Sequence, residues 1–302
     1  MSPAAPCAHP PATLAVGDRR VRRLGLGAMR LPGPDVWGPP ADPGEARAVV
    51  RRAVELGVQF IDTSWYYGPH VANPIIAEAL HPYPADLVIA TKLGGRRTPD
   101  KGWAPYLRPE ELRAGCEHDL RELRLETLEV VHLRWIPTEV PFLECLDAMI
   151  QLRAEGKLRH IGLSNVSAAQ VLQALERTPV ATVQNFYNVA GGEGPLARMT
   201  HAVVEAPEAV LDLCTERAIP FLPFFPLGVG AYGRPHPALD GAARAQVATP
   251  AQVALAWLLA RSPVMLPIPG TSSRAHLEEN WAAQTLRLSP EEVAAIAREA
   301  RG

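Results

Sequence analysis

The sequence predicts an α/β protein in which residues 1–302 form one (β/α)8 barrel domain with an additional helix at the C-terminal end. Eight short runs rich in β-branched and aromatic residues alternate with segments of helical periodicity, which is typical of βα units in a parallel sheet. The strand runs are nearly continuous apolar stretches, as expected of strands that are covered on both faces. Because no linker of flexible composition separates the units, a closed barrel is favoured over two domains.

Each predicted strand is a short apolar run that ends in turn or polar residues. In chain order the runs are RLGLGAM from residue 23, VQFIDTS from 58, LVIATKL from 87, LEVVHLRW from 128, LRHIGLSNV from 158, VATVQNFY from 180, IPFLPFFPL from 219 and VMLPIPGT from 264.

Capping signals mark the predicted helices. The segment Asp42-Pro43-Gly44-Glu45 predicts the start of the first helix, and Gly57 predicts its end. Capping boxes predict three further helix starts, at residues 167–170, 249–252 and 289–292. The last of these begins the additional helix.

The composition excludes several classes of function. With 47% hydrophobic residues and a formal net charge of −2, the chain has no electrostatic footprint for nucleic acid or for an anionic membrane, so the expected partner is a small molecule. Four cysteines without a Cys-x-x-Cys pair predict no metal site and no disulfide framework, and they favour a reducing cytoplasm. No signal peptide or membrane-spanning run is predicted. The first dozen residues, rich in proline and alanine, are expected to be disordered.

One motif points to a different fold. GVGAYG, residues 228–233, matches the G-x-G-x-x-G pattern of dinucleotide-binding Rossmann proteins and follows a predicted strand. That fingerprint needs a helix on its third glycine, and the two prolines in the following RPHPALDG oppose one. A loop of the barrel that approaches a phosphate is therefore favoured.

Polar side chains gather at the predicted C-terminal ends of the strands, where barrel enzymes carry their chemistry. They are Asp62 and Tyr67 at the second strand, Lys92 at the third, His132 and Arg134 at the fourth, Ser164 and Asn165 at the fifth and Gln184 at the sixth. Several also have a simple structural explanation. Asp62 could cap a loop, Lys92 could leave its strand for solvent, and His132 could be a hydrogen-bonded core histidine.

Taken together, an acid, a lysine and a tyrosine at neighbouring strand ends predict acid catalysis. Two unit charges about 4 Å apart interact by roughly 4 kcal/mol at an effective dielectric constant near 20. An ammonium at that distance could lower the pKa of a phenol, ordinarily about 10, by up to about three units. We therefore expect Lys92 to make Tyr67 a general acid, with Asp62 keeping the ammonium charged.

These residues resemble the aldo-keto reductase family, whose members are barrels that bind NADPH and use a tetrad of Asp, Tyr, Lys and His. FIDTSWYYG is similar to the family's Asp-Thr-x-x-x-Tyr-Gly, which implies that Asp62, Tyr67 and Lys92 are tetrad members. The tetrad histidine is replaced: the position that the family spacing implies holds Arg134, and His132 lies two residues earlier on the same face of the strand. Which of the two takes the role is left open, with Arg134 expected to point into the pocket.

The resemblance also implies a cofactor site for NADPH (NADP+). IGLSNVS implies that Ser164 and Asn165 hold the nicotinamide carboxamide with help from Gln184, and FFPLGVG implies that Phe224 stacks on the nicotinamide ring beside Pro226, Leu227 and Gly228. PGTSSRAHLEEN resembles the adenosine-phosphate segment, which assigns to it Gly270, Thr271, Ser272, Arg274, Glu279 and Asn280. Because His276 stands where many members have arginine, a preference for NADP over NAD is expected but not fixed.

The resemblance implies an NADPH-dependent enzyme that reduces an aldehyde or ketone to an alcohol, with Tyr67 as proton donor. Trp65, Tyr66 and His70 are expected to wall the substrate pocket. Two arginines in GGRRTPDKGW, after the third strand, are interpreted either as a bias toward anionic substrates or as part of a solvated loop. The altered histidine position leaves two alternatives: a regulatory NADPH-binding barrel, and a redox-neutral dehydratase or cyclase.

Overall fold

A ring of parallel strands occupies the centre of the protein, which the computed structural model describes over residues 12–189, 207–228 and 236–300. The strands of the ring are Leu26–Gly27 (β3), Phe60–Asp62 (β4), Val88–Arg97 (β5), Leu128–Arg134 (β7), Leu158–Ser164 (β8), Val183–Phe186 (β9) and Phe221–Phe224 (β10). They follow one another around the ring in chain order, and each pairs in parallel with its neighbours.

The eighth predicted strand closes the ring without forming a regular ladder. On one side, Phe221 exchanges backbone hydrogen bonds of 2.8 and 2.9 Å with residues 264–266. On the other side, the carbonyls of Pro267 and Pro269 accept hydrogen bonds of 2.9 and 3.1 Å from the first strand segment. The two prolines have no backbone N–H to donate, and this interrupts the ladder. The predicted (β/α)8 barrel is confirmed, with one proline-interrupted strand.

Helices cover the outside of the ring. Their bounds are Pro43–Leu56 (α1), Ala72–Leu80 (α2), Pro109–Leu123 (α3), Phe142–Ala154 (α4), Ala168–Leu175 (α5), Pro207–Glu216 (α6), Pro237–Ala245 (α7), Pro250–Arg261 (α8), Arg274–Ala282 (α9) and Pro290–Glu299 (α10), with 3-10 turns at Ala28–Arg30, Pro34–Val36 and Ala283–Thr285. Within the described ranges, none of the helices combines the length and the apolar character that a membrane crossing requires.

The helix ends follow the predicted capping signals. The Asp42 side chain accepts a hydrogen bond of 2.9 Å from the Glu45 amide at the start of α1, and Gly57 ends the helix with φ of 98°, a conformation that favours glycine. Capping boxes begin α5, α8 and α10. Helix α10 is the predicted addition, and Trp257 of α8 donates to the Val293 carbonyl in it over 3.2 Å.

Two hairpins were not predicted from the sequence. Thr13–Val16 (β1) and Arg19–Arg22 (β2) pair antiparallel before the barrel begins, and Trp103–Tyr106 (β6) pairs antiparallel with the end of β5. The apolar side chains of the first hairpin join the residues inside the barrel in one cluster, so this hairpin covers the N-terminal end of the barrel interior. Residues 1–11 and 229–233, which hold most of the predicted disordered segment and of GVGAYG, lie outside the described residues.

The alternation of side chains along each strand separates two buried layers. Phe60, Val88, Ala90 and Val130 belong to the cluster inside the barrel. The residues that alternate with them along the same strands pack outward against the helices. Toward the C-terminal ends of the strands, the residues at these inward-facing positions are polar, and they lie above the apolar interior. This alternation brings the candidate site together.

Candidate active site

Lys92 is the centre of a buried polar cluster at the C-terminal ends of the strands. Its ammonium donates to Asp62 Oδ2 over 2.7 Å and to the Thr63 carbonyl over 2.9 Å. Gln184 reaches the same carboxylate from across the barrel, donating to Asp62 Oδ1 over 2.8 Å. All three side chains face the interior and are almost completely buried. The structure therefore brings together residues from three strands that the sequence placed only at separate strand ends.

Tyr67 lies in the turn that follows β4, beside this cluster. Its amide donates to the Ser64 carbonyl over 3.1 Å, which holds the turn, and Lys92 Nζ lies 4.8 Å from the centre of the phenol ring. The residue is 6% exposed, and its hydroxyl group forms no hydrogen bond with the described residues. The backbone turn and the burial of the ring thus hold the Tyr67 side chain, while the hydroxyl has its hydrogen-bonding capacity available.

The pKa of Tyr67 differs from the sequence expectation. Burial raises this pKa well above its ordinary value, the negative charge of Asp62 raises it further, and the positive charge of Arg134 lowers it. The expectation that Lys92 would bring the phenol close to neutral pH is wrong for this structure. The physical reason is that the Lys92 charge is balanced by Asp62 at 2.7 Å and faces the ring rather than a hydrogen-bonded hydroxyl.

Arg134 ends β7 and is directed toward the aromatic residues of the site. Its guanidinium carbon lies 5.5 Å from the centre of the Phe224 ring. Its charge acts on the pKa values of both Tyr66 and Tyr67, lowering each against the effect of burial. A permanent cation therefore faces the phenols from the position where the family resemblance implied a histidine.

His132 lies deeper in the barrel and has both ring nitrogens occupied. Nδ1 donates to the Thr91 carbonyl over 3.2 Å, and Nε2 accepts from Thr182 Oγ1 over 2.8 Å. The ring is completely buried, and burial lowers its pKa to about 4. A Cβ atom on Gly162 would lie 2.6 Å from both His132 Cδ2 and Thr182 Oγ1, so glycine makes room for this hydrogen bond. These contacts agree with the reading of His132 as a hydrogen-bonded core histidine.

The end of β8 offers a polar group that has no partner. Ser164 Oγ is buried and forms no hydrogen bond with the described residues. The next residue, Asn165, has φ of 62° and donates from its side chain to the Trp135 carbonyl over 2.7 Å. An unsatisfied buried hydroxyl costs free energy unless a ligand completes it. Ser164 is therefore the residue whose environment most favours a polar ligand at this position.

Aromatic rings continue the site along β10. Phe224 packs edge-on against Phe186 at a centroid distance of 5.7 Å and against Phe225 at 5.6 Å. The chain then turns through Pro226 and Leu227, and the Gly228 amide donates to the Phe225 carbonyl over 2.9 Å. This turn is the last part of the predicted FFPLGVG segment that the structure describes.

The segment predicted to bind the adenosine phosphate leads into the N-terminus of α9. Ser273 caps this helix by accepting from the His276 amide over 3.4 Å. Arg274 is exposed and forms an ion pair with Glu45, with 3.1 Å between Nη2 and Oε2. The partial positive charge of a helix N-terminus and a nearby arginine together suit a phosphate group.

The remaining predicted residues of this segment lie around the same helix. Thr271 is buried, and its hydroxyl accepts from the Ser273 amide over 3.1 Å, whereas Ser272 is exposed. Glu279 accepts from Thr249 over 2.5 Å, and Asn280 is 6% exposed. Gly270 forms an isolated parallel bridge with the first strand of the ring.

Comparison with known proteins decides the family. The sequence profile of the Aldo/keto reductase family matches residues 23–300, nearly the whole chain. The chain belongs to the aldo/keto reductase family. It is 45% identical to the pyridoxine 4-dehydrogenase of Escherichia coli (strain K12), over 92% of this chain and 95% of that protein. It is 37% identical to an uncharacterized oxidoreductase of Schizosaccharomyces pombe, over 96% of this chain and 90% of that protein.

The fold has the same family neighbours. An aldo-keto reductase from Klebsiella pneumoniae, solved in complex with NADPH, superposes with a TM-score of 0.76 at 27% identity, covering 95% of this chain and 94% of that chain. The predicted family, fold class and enzymatic character are thereby confirmed, and this aldo/keto reductase is an oxidoreductase.

The three residues predicted to wall the substrate pocket form a row of neighbouring rings in the reductase, with the Trp65 ring centre 5.7 Å from that of Tyr66 and 5.3 Å from that of His70. Tyr66 is 1% exposed and packs edge-on against Tyr67 at 5.4 Å. Trp65 stacks on His118 of α3 at 5.1 Å, and His70 hydrogen-bonds through Nδ1 with Glu122 of the same helix. Tyr66 therefore adjoins the proposed proton donor, whereas Trp65 and His70 contact α3.

The two arginines of the GGRRTPDKGW segment lie at the end of β5 in this reductase, and Arg97 has a structural use there. Arg97 is 9% exposed and lies between Trp37 and Trp103, 5.4 and 4.2 Å from their ring centres. Its guanidinium donates to four backbone carbonyls, those of residues 35, 36, 101 and 102. Arg97 thus joins two loops at the end of the barrel, and its donors are not directed at an anionic substrate.

Sequence reasoning missed Asp119 on α3, which is completely buried. The signal was present, because Leu112, Cys116, Asp119 and Leu123 recur at helical spacing and all lie on the buried face of α3. An acid within such an apolar stripe indicates a buried carboxylate with specific partners.

Proposed function

We propose that the protein is an NADPH-dependent reductase that converts a small aldehyde or ketone to an alcohol with Tyr67 as the proton donor. The observation that carries this proposal is the buried cluster in which Lys92 pairs with Asp62 and lies 4.8 Å from the Tyr67 ring, while the phenol hydroxyl has no hydrogen-bond partner among the described residues. A fixed phenol with an available hydroxyl is suited to donate to a carbonyl oxygen.

The raised pKa of Tyr67 keeps the proton donor in its protonated form at neutral pH. Reduction of the carbonyl carbon places negative charge on the carbonyl oxygen, and this charge passes to Tyr67 Oη as the phenol gives up its proton to that oxygen. Arg134 is the cation whose charge lowers the Tyr67 pKa, so it stabilises this charge as it forms. We assign no proton transfer to His132, whose two ring nitrogens are occupied and whose low pKa keeps it neutral.

The residues at the strand ends fit NADPH, which supplies the hydride for the carbonyl carbon when it is bound. Ser164, Asn165 and Gln184 would hold the nicotinamide carboxamide, and the unpartnered Ser164 hydroxyl supports this assignment. Phe224 would lie against the nicotinamide ring, beside the turn through residues 226–228.

The N-terminus of α9 would hold the adenosine phosphate. Residues 270–272 and Arg274 surround this helix end, and Arg274 would exchange its ion pair with Glu45 for one with the 2′-phosphate. Glu279 and Asn280, further along α9, would adjoin the adenine.

For the substrate, we propose an aromatic aldehyde of the pyridoxal type, or the corresponding alcohol in the reverse direction. The relative at 45% identity is named pyridoxine 4-dehydrogenase. Pyridoxal carries an ionisable ring hydroxyl beside its aldehyde, and Arg134 offers a cation close to the Tyr67 phenol. Tyr66 and Phe224 offer aromatic surfaces next to these two residues.

The proposal is tested by following the near-ultraviolet absorbance of NADPH with pyridoxal, benzaldehyde, an aliphatic ketone and a keto-sugar. NADPH should be consumed with pyridoxal, and Tyr67→Phe should reduce kcat by at least about a hundredfold while NADPH binding is retained. Tyr83→Phe is the matched control, since Tyr83 lies beyond the end of α2 and its hydroxyl donates to the Leu123 carbonyl at the end of α3. NADPH binding without consumption with any carbonyl would overturn the proposal and favour a regulatory or redox-neutral barrel.

A further inference from the structure

A carboxylate without a part in the proposed chemistry lies directly behind the Asp62–Lys92 pair. Asp119 on α3 is 0% exposed. Its Oδ1 accepts a hydrogen bond of 2.7 Å from Asn73 Nδ2, and its Oδ2 accepts one of 2.7 Å from Thr91 Oγ1. Carboxylates are rarely buried without such partners, so Asp119 is the centre of a specific network.

The network continues from Asp119 to a second strand. Asn73 Oδ1 accepts a hydrogen bond of 2.8 Å from Thr63 Oγ1. One carboxylate is thereby connected to Thr63 at the end of β4 and to Thr91 within β5. Thr63 directly follows Asp62 in the sequence, and Thr91 directly precedes Lys92.

Side-chain alternation explains how this network reaches the catalytic pair. Asp62 and Lys92 face the barrel interior, so their neighbours Thr63 and Thr91 face outward, toward α3. The backbone couples the two faces, because the Thr63 amide donates to the Ala90 carbonyl over 2.8 Å and the Thr63 carbonyl accepts from Lys92 Nζ over 2.9 Å. A displacement of Thr63 therefore moves an acceptor of the Lys92 ammonium, and a displacement of Thr91 moves the backbone next to Lys92.

The chemistry of the network favours a role in positioning the surrounding elements over a role in stabilising the fold. Asn73, Thr63 and Thr91 are completely buried, like Asp119 itself. Burying a carboxylate costs desolvation free energy that an apolar side chain of similar size would avoid. The two oxygens receive their donors from the start of α2 and from β5, and the donor on α2 is itself held by Thr63 at the end of β4. Such a network fixes the relative position of those elements.

We propose that Asp119 is a positioning residue: through Asn73 and Thr63 on one side and Thr91 on the other, it holds β4 and β5 where the Asp62 carboxylate meets the Lys92 ammonium. This proposal rests on the proposed function, in which that pair supports the proton donor Tyr67. Asp119 touches none of the reacting groups, so its effect is on geometry.

The sharpest test exchanges the two polar side chains of the network. The variants are compared at about pH 9, above the pKa of about 8 to which burial raises Asp119, so that both oxygens of the wild-type group are acceptors. Asp119→Asn alone then places an amide N–H₂ among donors, and Asn73→Asp alone places two buried carboxylates together. In the double variant, the carboxylate at 73 accepts from Thr63 and from the new amide, whose oxygen accepts from Thr91, so every hydrogen bond is restored. We expect each single variant to lower kcat for carbonyl reduction by roughly tenfold to a hundredfold, with KM for NADPH unchanged, and the double variant to recover most of it.

The matched control is Asp147→Asn, which changes an exposed acid on α4 that pairs with Arg177. A double variant no faster than Asp119→Asn, or an Asp119→Asn enzyme with wild-type kcat, would overturn the proposal.

A second readout does not depend on activity. In Asp119→Leu, amide hydrogen exchange should accelerate in peptides covering residues 60–67 and 88–95, while exchange in β8 stays unchanged. If the wild-type protein consumes no NADPH, the proposed function fails. The exchange pattern then still tests whether Asp119 positions the ends of β4 and β5. Unchanged exchange at both strand ends would overturn it.

Discussion

The Lys92 ammonium donates to the Asp62 carboxylate over 2.7 Å, and each of the two side chains is only 4% exposed. Both charges have been removed from water, so each depends on the other and on the few additional hydrogen bonds around them. The Thr63 carbonyl and the Gln184 amide supply those bonds. The pair is therefore a single unit in both stability and chemistry.

Removing one member of this unit should destabilise the protein. Lys92→Met leaves the Asp62 carboxylate buried without its cation, and we expect the free energy of unfolding to fall by about 3–5 kcal/mol. Adding Asp62→Asn should recover much of this loss but restore no activity. Urea denaturation followed by fluorescence measures both effects. Equal stability of the single and double variants would show that the two charges are not coupled.

Arg134 should control the basic limb of the pH profile for carbonyl reduction. In the proposed mechanism reduction requires a protonated Tyr67, so activity is expected to fall as pH rises through the phenol pKa in the enzyme complex. Because the Arg134 charge lowers that pKa, Arg134→Leu should move the basic limb to higher pH. Arg96→Leu, which removes a cation near Tyr106 instead, should leave the limb in place. A shift to lower pH in Arg134→Leu would contradict the assignment.

His132 should make the folded state sensitive to acid. Its pKa is lowered to about 4 in the folded protein, below the ordinary value near 6.5, so the unfolded chain binds more protons between these limits. Stability contributed by neutral His132 is complete above about pH 6.5 and is lost as pH falls toward about 4. His132→Gln should reduce this loss, as measured by melting temperature against pH, whereas the exposed His276→Gln should not.

Asp119 should make the stability of the folded state depend on pH in the opposite direction from His132. Burial raises its pKa to about 8, so between about pH 4 and 8 the folded protein binds more protons than the unfolded chain. The contribution of this group to stability therefore decreases as pH rises through that window. The melting temperature of Asp119→Asn relative to wild type should increase from about pH 5 to about pH 8. A constant difference across that range would mean that Asp119 does not titrate there.

Glu45 should weaken NADPH binding by holding Arg274 in an ion pair. Glu45→Gln removes a negative charge from the proposed 2′-phosphate site and releases the arginine. We expect the Kd for NADPH to decrease by about twofold to fivefold, the range of an exposed ion pair, with no change for NADH. A fluorescence titration measures this effect, and Glu278→Gln, which breaks an exposed ion pair with Arg52, is the control. An equal change for both nucleotides would place Arg274 away from the 2′-phosphate.

Much of the fold followed from local sequence signals. Apolar runs and capping boxes act over a few residues, so the strand segments and the ends of α1, α5, α8 and α10 could be read directly. The antiparallel pairing of β6 with β5 could not be read this way. Pro267 and Pro269 lie in a segment that was predicted as a regular strand. Only the structure showed that the two prolines interrupt the ladder while their carbonyls still accept hydrogen bonds from the first strand segment.

The sequence by itself determined the barrel, its family and the residues at the strand ends, because spacing along a strand fixes which side chains share a face. The tertiary structure decided which of them meet. It joined Asp62 to both Lys92 and Gln184, occupied both nitrogens of His132, placed the Arg134 guanidinium against the Phe224 ring and placed Asp119 behind the pair. Distances between elements remote in sequence, and the burial that sets a pKa, exist only once the ring has closed.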